Sequence, residues 1–550
     1  MRAILGKRMI ALMLAALLAL ACFVGCAESM EEPENNGDSY IPPAGIGDAA
    51  GDTPTDHEPD GDRPTDAVGD ATGELGGTTE TEPTEDLTDE PTKEPEGASG
   101  EEQQVPPLVE PERLPIELPQ VDGGGQEICF LTMSVEGFPS LWPELPVVLP
   151  REPQDTLDRA VWMRNATVEE LMNVVITEEC VPHNQIPSAL KRPIMVGECK
   201  HHAMIVDSAR MALLCVQEGI ARNMHEMTGL NPDMPWWSQS ANEAFTLGGK
   251  LYFAVPEMMM RDKLNTAAVF YNKTLAEQSY LSDLATLVSD GEWTQEALIA
   301  LCEEAYAFSD ACAMTGMDDT AIALYAGEGR ILARVEEDGS YTEVYGDVES
   351  TDALQNIFDT IIGEAFFTHE SERGAPSFAQ EQTLFHINYL SAMLTDGVLC
   401  ESYGVLPMPK ADESQRDYYS YVSPVSSSLL AFPVTVWEEE EALAVPVIEA
   451  MNYISYYDVS PTLYEAMLDG NVTVSDKDRE MLSLVIESRF YDFGQIPVTR
   501  EGFARSALAD NIVRAAVQND LDAERLGTEG LYGWQLDQEV FARCMERLLR

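Results

Sequence analysis

Six side chains supply the chemistry that can be read from the middle of this chain: Trp236, Trp237, Tyr271, Asn272, Trp293 and Tyr389. Indole and phenol faces offer flat apolar surface, while amides and carboxylates read hydroxyl groups, so the set suits a cleft for a polar, partly apolar ligand such as a sugar. The same residue types also fill cores, where most buried aromatics simply pack. Trp236 and Trp237 are adjacent, and on an extended segment they point opposite ways, which leaves one of them to face a cleft. Trp293 directly precedes Thr294, so it can equally be the apolar staple of a helix start. Cys199-Lys200-His201-His202 is the one metal-like cluster; it lacks a second ligand pair at a recognisable spacing, and no metal or cofactor is expected.

These residues need elements to hold them. Pro235 to Lys273 packs a Pro-Trp-Trp, a Gly248-Gly249 turn and two strand-like runs, Leu251–Val255 and Ala267–Tyr271, into one short stretch. Apolar spacing predicts helices over Asp158–Val175, Ala209–Asn223, Thr351–Ile362 and Ala442–Tyr457. Thr294 is the expected N-cap of TQEALIALCEEAYAF, and Ser475 with Asp478 has capping-box spacing for a helix running to Glu487. Further strands are expected at Ile331–Val335, Gly404–Pro407 and Leu429–Pro433. Alternation of this kind argues for an α/β fold with covered sheets, and no internal repeat is visible.

The amino terminus reads as an export signal. Arg2, Lys7 and Arg8 precede an apolar run from Met9 to Ala21, too short for a membrane span. It leads to Gly25-Cys26, which is like a bacterial lipobox; Cys22 competes, but the chain turns polar directly after Cys26. Residues 1–25 are therefore expected to be a lipoprotein signal peptide and Cys26 the acylated residue, an anchor that does not cross the bilayer. Between Glu28 and Glu102 only Arg63 and Lys93 interrupt an acidic, Thr/Pro/Gly-rich stretch. It cannot bury enough apolar surface to order itself, so 26–125 is expected to be a disordered tether. The whole chain carries a formal net charge of −63, which argues against a nucleic-acid partner because phosphates are repelled. No Gly-x-Ser-x-Gly elbow, His-Glu-x-x-His or phosphate-cradling Gly loop is present. The cysteines beyond Cys26 are scattered, with no Cys-x-x-Cys pair, and leave disulfide pairing open.

The segments EAFTLGGKLYFAV, AAVFYNKTLAE and DGEWTQEALIALCEEA, then GVLPMPKADESQRDYYSYVSP, SSSLLAFPVT and ESRFYDFGQIP, follow one another in this order. Together they resemble the extracellular solute-binding lipoproteins of bacterial ABC importers, in the sugar-binding-like branch of Gram-positive anaerobes. The resemblance implies that residues 126–550 form a two-lobe periplasmic-binding-protein-like fold, type II-like, with a crossover hinge. It implies a first helix followed by a strand near Val174–Thr177, a ligand held between the lobes, ABC permease subunits as partners, a monomer, and a place on the outer face of the cell membrane. It implies a binding protein rather than an enzyme; a cell-surface carbohydrate-active hydrolase or a sensing or adhesion protein on the same fold are the alternatives. Many relatives carry a Gly-Asp-Asp-x-x-Tyr-Asp element in the first lobe. This chain has GECKHHAMIVDSARMALL there, with Asp207 alone in common, which leaves the first-lobe half of the site unassigned.

Overall fold

A computed structural model of the 550-residue chain describes residues 113–115, 121–134, 147–149, 151–182, 185–207, 218–281, 283–309, 312–336, 341–345, 347–424, 427–495, 507–518 and 522–523. All of them fall within the compact unit Ser99–Arg550. The signal peptide, Cys26, most of the 26–125 tether and most of the Ala209–Asn223 helix lie outside the described residues. Gly219 to Asn223, at the end of that expected helix, is not helical: Gly219 has φ +60°, and Ala221 bridges to Pro433.

The strands in chain order are β1 Gln126–Ser134, β2 Val174–Pro182, β3 Ala203–Asp207, β4 Thr246–Leu247, β5 Lys250–Leu251, β6 Ala267–Asn272, β7 Met314–Gly316, β8 Ala333–Val335, β9 Tyr341–Glu343, β10 Phe367–His369, β11 Phe385–Tyr389, β12 Tyr403–Leu406, β13 Ser420–Tyr421, β14 Ser428–Ala431 and β15 Arg489–Phe490. The helices used below are α1 Thr156–Met172, α2 Gln239–Phe245, α3 Gln295–Ser309, α4 Glu439–Ile454, α5 Ser460–Leu468 and α6 Asp476–Glu487.

One sheet has the order β14-β3-β1-β2, with β3, β1 and β2 parallel and β14 antiparallel. Its side chains alternate between two cores, as the pleat requires. Ile128, Phe130, Ile205 and Leu430 share one core with Val168 and Met172 of α1 and with Val447 and Met451 of α4. Leu131, Met204, Val206 and Leu429 fill the other with Phe245 and Phe253. A sheet buried on both faces is the expected α/β arrangement.

The second sheet has the order β10-β7-β11-β6-β12; β10, β7 and β11 are parallel, and β6 is antiparallel to both β11 and β12. The largest core surrounds it, with Phe270, Met314, Phe385, Val405 and Trp293 among its fully buried members. Thr294 caps α3 as expected, its hydroxyl accepting from the Ala297 N–H at 3.2 Å, and Ser475 with Asp478 closes a capping box on α6.

The run Leu251–Val255 departs from expectation. Only Lys250–Leu251 is strand, paired in a small hairpin with Thr246–Leu247, and Gly248 and Gly249 supply φ +56° and +73° at its tip. The rest of the run is extended chain with a single bridge from Ala254 to Leu430, because it leaves the first sheet instead of joining it. The expected 351–362 helix runs over Val348–Ile357 and ends in a π turn at Phe358–Ile362.

Three segments pass between the two sheets: Pro256 to Thr266, Val422 to Ser427, and the π turn Ser455–Val459 that joins α4 to α5. A buried ionic cluster sits where they meet. Lys263 Nζ lies 3.4 Å from Glu257 and 3.6 Å from Asp262, and Arg489 Nη1 lies 2.9 Å from Asp262. Ser460 on α5 donates to Glu257 at 2.5 Å, and Lys263 also donates to the Met259 carbonyl at 2.8 Å. Burial works against the Arg489 charge, yet Asp262, with Tyr491, Glu257 and Tyr464 adding to it, together outweigh that effect and hold the guanidinium further above its ordinary range. Removing Lys263 takes a cation from beside both Glu257 and Asp262, and the buried carboxylates of the cluster then outnumber its remaining base. Lys263→Met is therefore expected to destabilise the folded unit by about 3 kcal/mol, read as a lowered denaturation midpoint at unchanged m-value.

Candidate functional site

In open α/β sheets, ligands bind outside the carboxyl ends of the parallel strands. Here the crossovers bring two such edges to the same place. β14 is antiparallel to β3, so its start at Ser428 lies beside Asp207, the carboxyl end of β3. β6 is antiparallel to β11, so its start at Ala267 lies beside Tyr389, the carboxyl end of β11. Thr266 and Val422 bridge the two incoming segments, and Ser423 N–H donates to the Asn265 carbonyl at 3.1 Å.

The edge of the second sheet is polar. β7 ends at Gly316 and is followed by Asp318 and Asp319; β10 ends at His369 and is followed by Glu370. Buried Asp319 accepts a hydrogen bond from the Tyr389 hydroxyl. Asn388 donates through its amide to Glu370 Oε2 at 3.3 Å and to His386 Nε2 at 3.0 Å. That donation leaves Nδ1 of His386 to carry the proton toward the Thr315 hydroxyl, 3.0 Å away. Burial pushes His386 down to about 4, so it is neutral near pH 7, and its 3.5 Å approach to Glu370 is not an ion pair. Glu370 is pushed up to about 6, by burial first and by the charge of Asp318 second. Asp318 is exposed, the Glu370 side chain is partly covered at 43% exposure, and Asn388 and Tyr389 are half-buried. Residues 208–217, which follow Asp207 in the chain, lie outside the described residues.

Two cavities flank β15, separated where Ser240 Oγ donates to the Arg489 carbonyl at 3.0 Å. One, of about 440 Å³, lies between α2 and the second lobe and is lined by Glu243, Arg334, Tyr419, Phe490 and Asp492. The Tyr419 and Phe490 rings are 5.0 Å apart in it. The other, of about 380 Å³, is lined by Trp237, Gln239, Glu257, Tyr456, Tyr464 and Arg489. Tyr456 stands on the π turn, which precedes Pro461; a proline ring crowds the carbonyl one turn earlier and cannot donate to it, so the helix widens there.

The six side chains singled out in the sequence are distributed unevenly over this geometry. Trp236 and Trp237 do not point opposite ways: both indole N–H groups donate to Glu449, at 2.6 and 3.3 Å. The reason is local, since Trp237 N–H closes a turn onto the Met234 carbonyl and the segment is not extended. Trp237 reaches the smaller cavity; Trp236 packs edge-on against Tyr453. Trp293 is fully buried and donates to the Pro407 carbonyl at 2.9 Å. Asn272 caps the following helix, accepting from Leu275 N–H at 3.0 Å. Tyr271 lies against Gly404, where an added Cβ would come within 2.1 Å of its ring. Tyr271 and Asn272 stand at the carboxyl end of β6, and thus at the sheet edge away from the crevice, whereas Tyr389 stands at the crevice edge itself. Asp319, Glu370 and Asn388 were not singled out; the signal available was a polar residue at or just past the end of a short apolar run. Among the described residues no group of three or more His, Cys, Asp or Glu is arranged to hold a metal ion, and no helix is long and apolar enough to cross a membrane.

No family model and no curated protein matches the chain. Among solved structures it is similar to the sugar-binding protein MalE from Xanthomonas citri, at 11% identity over 77% of this chain and 98% of that one, with a TM-score of 0.49. It is similar to a cyclic alpha-maltosyl-1,6-maltose binding protein from Arthrobacter globiformis, at 13% identity over 77% and 100%, TM-score 0.48. It is also similar to the galacto-N-biose/lacto-N-biose I-binding protein from Bifidobacterium longum, at 12% identity over 76% and 98%, TM-score 0.48.

Asp492 provides a test of the floor between the lobes. It accepts from Leu332 N–H and Gly494 N–H, each at 2.8 Å, but burial outweighs those bonds and pushes it up to about 6. Its folded value exceeds its unfolded one, so the folded state binds the extra proton and the stability that proton confers is lost as pH rises from about 4 to about 6. The Tm of the wild type is expected to fall relative to Asp492→Asn across that window and to run parallel with it above, in matched thermal melts from pH 4 to pH 8.

Proposed function

We propose that this chain is the solute-binding component of an ABC importer, a receptor that closes two lobes on a small carbohydrate and passes it to membrane permease subunits. A lipid on Cys26 and the acidic tether would hold it on the outer face of the membrane. The observation that carries the reading is the joining of two α/β sheets at their carboxyl edges by three crossover segments, an arrangement that opens and shuts a crevice by hinge rotation. The ordered sequence resemblance supports the same reading independently. In the crevice, Asp319 and Glu370 accept from ring hydroxyls, Asn388 donates to or accepts from them, and the half-buried Tyr389 ring offers an apolar face. Trp237 offers a further face in the adjoining cavity. No step of bond cleavage is assigned to these groups: the function is capture and release.

A thermal-shift panel of sugars, oligosaccharides, peptides and polyamines on the full chain tests the ligand class. A sugar at a hundred times its Kd is expected to stabilise the protein by about 2.7 kcal/mol. Asp319→Asn or Tyr389→Phe should weaken that ligand by about 1 to 3 kcal/mol beyond the loss of unliganded stability that breaking the buried Tyr389–Asp319 hydrogen bond brings, so each variant's shift is read against its own unliganded melt. A shift from polyamines or peptides alone would replace the carbohydrate assignment, and turnover of an oligosaccharide would replace binding by catalysis. Anchoring has its own test. Cys26→Ala is expected to release the protein into the medium, and full retention at the membrane would contradict acylation there.

A further inference from the structure

We propose that Cys199, with His201 and Glu179, forms a reactive thiol site that exchanges with low-molecular-weight disulfides and takes up a mixed disulfide. The site is separate from the crevice. It lies at the amino end of β3, whereas the crevice lies at the carboxyl end of that strand.

The chain fixes these residues from both sides. The helix Ile186–Val196 is closed by Gly197 at φ +72°, with Gly197 N–H donating to Ile194 and Glu198 N–H to Pro193. Three residues on, His202 N–H donates to the Cys129 carbonyl at 2.8 Å, and Cys129 N–H donates back to His202 Nδ1 at 3.1 Å. Cys199, Lys200 and His201 are stretched between these anchors. Cys199 Sγ lies 4.0 Å from His201 Nδ1 and 3.9 Å from the His201 carbonyl. On its other side the imidazole presents Nε2 to Glu179 Oε2 at 2.9 Å, and Lys200 meets the same oxygen at 2.7 Å. A proton on Nε2 directed at the carboxylate leaves Nδ1 free to take the thiol proton, the nucleophile, base and orienting acid arrangement of activated cysteines. The His201 side chain is 4% exposed, while Cys199 is partly exposed and opens on a cavity of about 300 Å³. That is room for a small thiol adduct.

The charges agree with the geometry. Burial pushes the Cys199 thiol up, but its contacts with His201, the charge on that imidazole and the nearby Thr435 together bring it below its ordinary value. Burial pushes His201 down, and Cys199 and Glu179 together lift it above. The other described cysteines, Cys129, Cys180, Cys302, Cys312 and Cys400, are all raised, in each case chiefly by burial. Cys199 is thus the described thiol that most readily becomes a thiolate.

In the step itself the Cys199 thiolate attacks one sulfur of a disulfide R–S–S–R. The R–S–S–R bond breaks as the Cys199–S–S–R bond forms, and the departing thiolate takes the proton held on His201. Cys199 is oxidised, one sulfur of the small disulfide leaves reduced as R–SH, and no further oxidant is needed.

The test uses the full chain, reduced and freed of reductant, with less than one equivalent of dipyridyl disulfide, the modified cysteine being located by peptide mass. The first label is expected on Cys199, and Cys199→Ser should abolish the fast phase. At pH 6.5, His201→Gln should slow it on the order of tenfold and move the pH–rate inflection toward an ordinary thiol, since a thiol near 8.5 is only about 1% thiolate there. Glu127, Glu179, Lys200, His202, Glu440 and Cys129 are the other titratable groups facing the cavity, and all are retained in that variant. Should His201→Gln not fold, Glu179→Gln, on the half-exposed face of β2, is expected to act in the same direction. A first label on another cysteine, or a pH–rate profile unchanged in both variants, would overturn the assignment. Sugar-induced thermal shifts should be the same with and without the adduct, so failure here is distinguishable from failure of the transport reading.

Discussion

Four opposed charges, buried where the chain changes sheet, tie the first crossover to β15. Glu257, Asp262 and Lys263 belong to the first crossover, and Arg489 comes from the far end of the folded unit. Bringing such groups out of water is costly, and only mutual neutralisation in one arrangement offsets it. An apolar cluster would hold the same segments together but would tolerate sliding. Matched ions do not, because a shift of an ångström or two leaves a charge without its partner. Ser460, which opens α5, donates to Glu257, and Ser428, which opens β14, accepts from Arg261 of the first crossover. The first crossover is therefore tied by side-chain hydrogen bonds to the start of α5 and to the start of β14.

Asp319, Glu370, Asn388 and Tyr389 stand at or just past the carboxyl ends of three short strands, β7, β10 and β11, and that position puts them at the sheet edge. His386 lies one layer behind them, neutral and stacked on Phe378 with ring centroids 5.3 Å apart. Its role is to hold the Asn388 amide, not to carry charge.

Much of the architecture was legible in the chain itself. Caps at Thr294 and Ser475, the apolar run of β6 and the helical spacing of α1 and α4 are local signals, and local signals survive folding. The strand expected at Leu251–Val255 failed because its apolar residues are buried by a crossover and not by a ladder, and periodicity cannot distinguish the two. The candidate site was less legible. Aromatics drew attention, yet Trp293 and Trp236 are buried with their N–H groups already engaged, while the groups lining the crevice edge are ordinary acids and an amide in a chain full of both. Only knowledge of which strand ends face each other separates Glu370 from any other glutamate.

The chain from Glu439 to Leu468 is helical throughout, with five residues of wider winding at Ser455–Val459 between its two α segments. One part is embedded in the first lobe and the other in the second, so the two bodies share a common axle. An axle of this kind resists bending along its length but yields where its coil is slack. Any relative motion of the bodies would be steered into a twist about the rod, and Tyr456, riding on the slack coil and lining the neighbouring cavity, would turn with it.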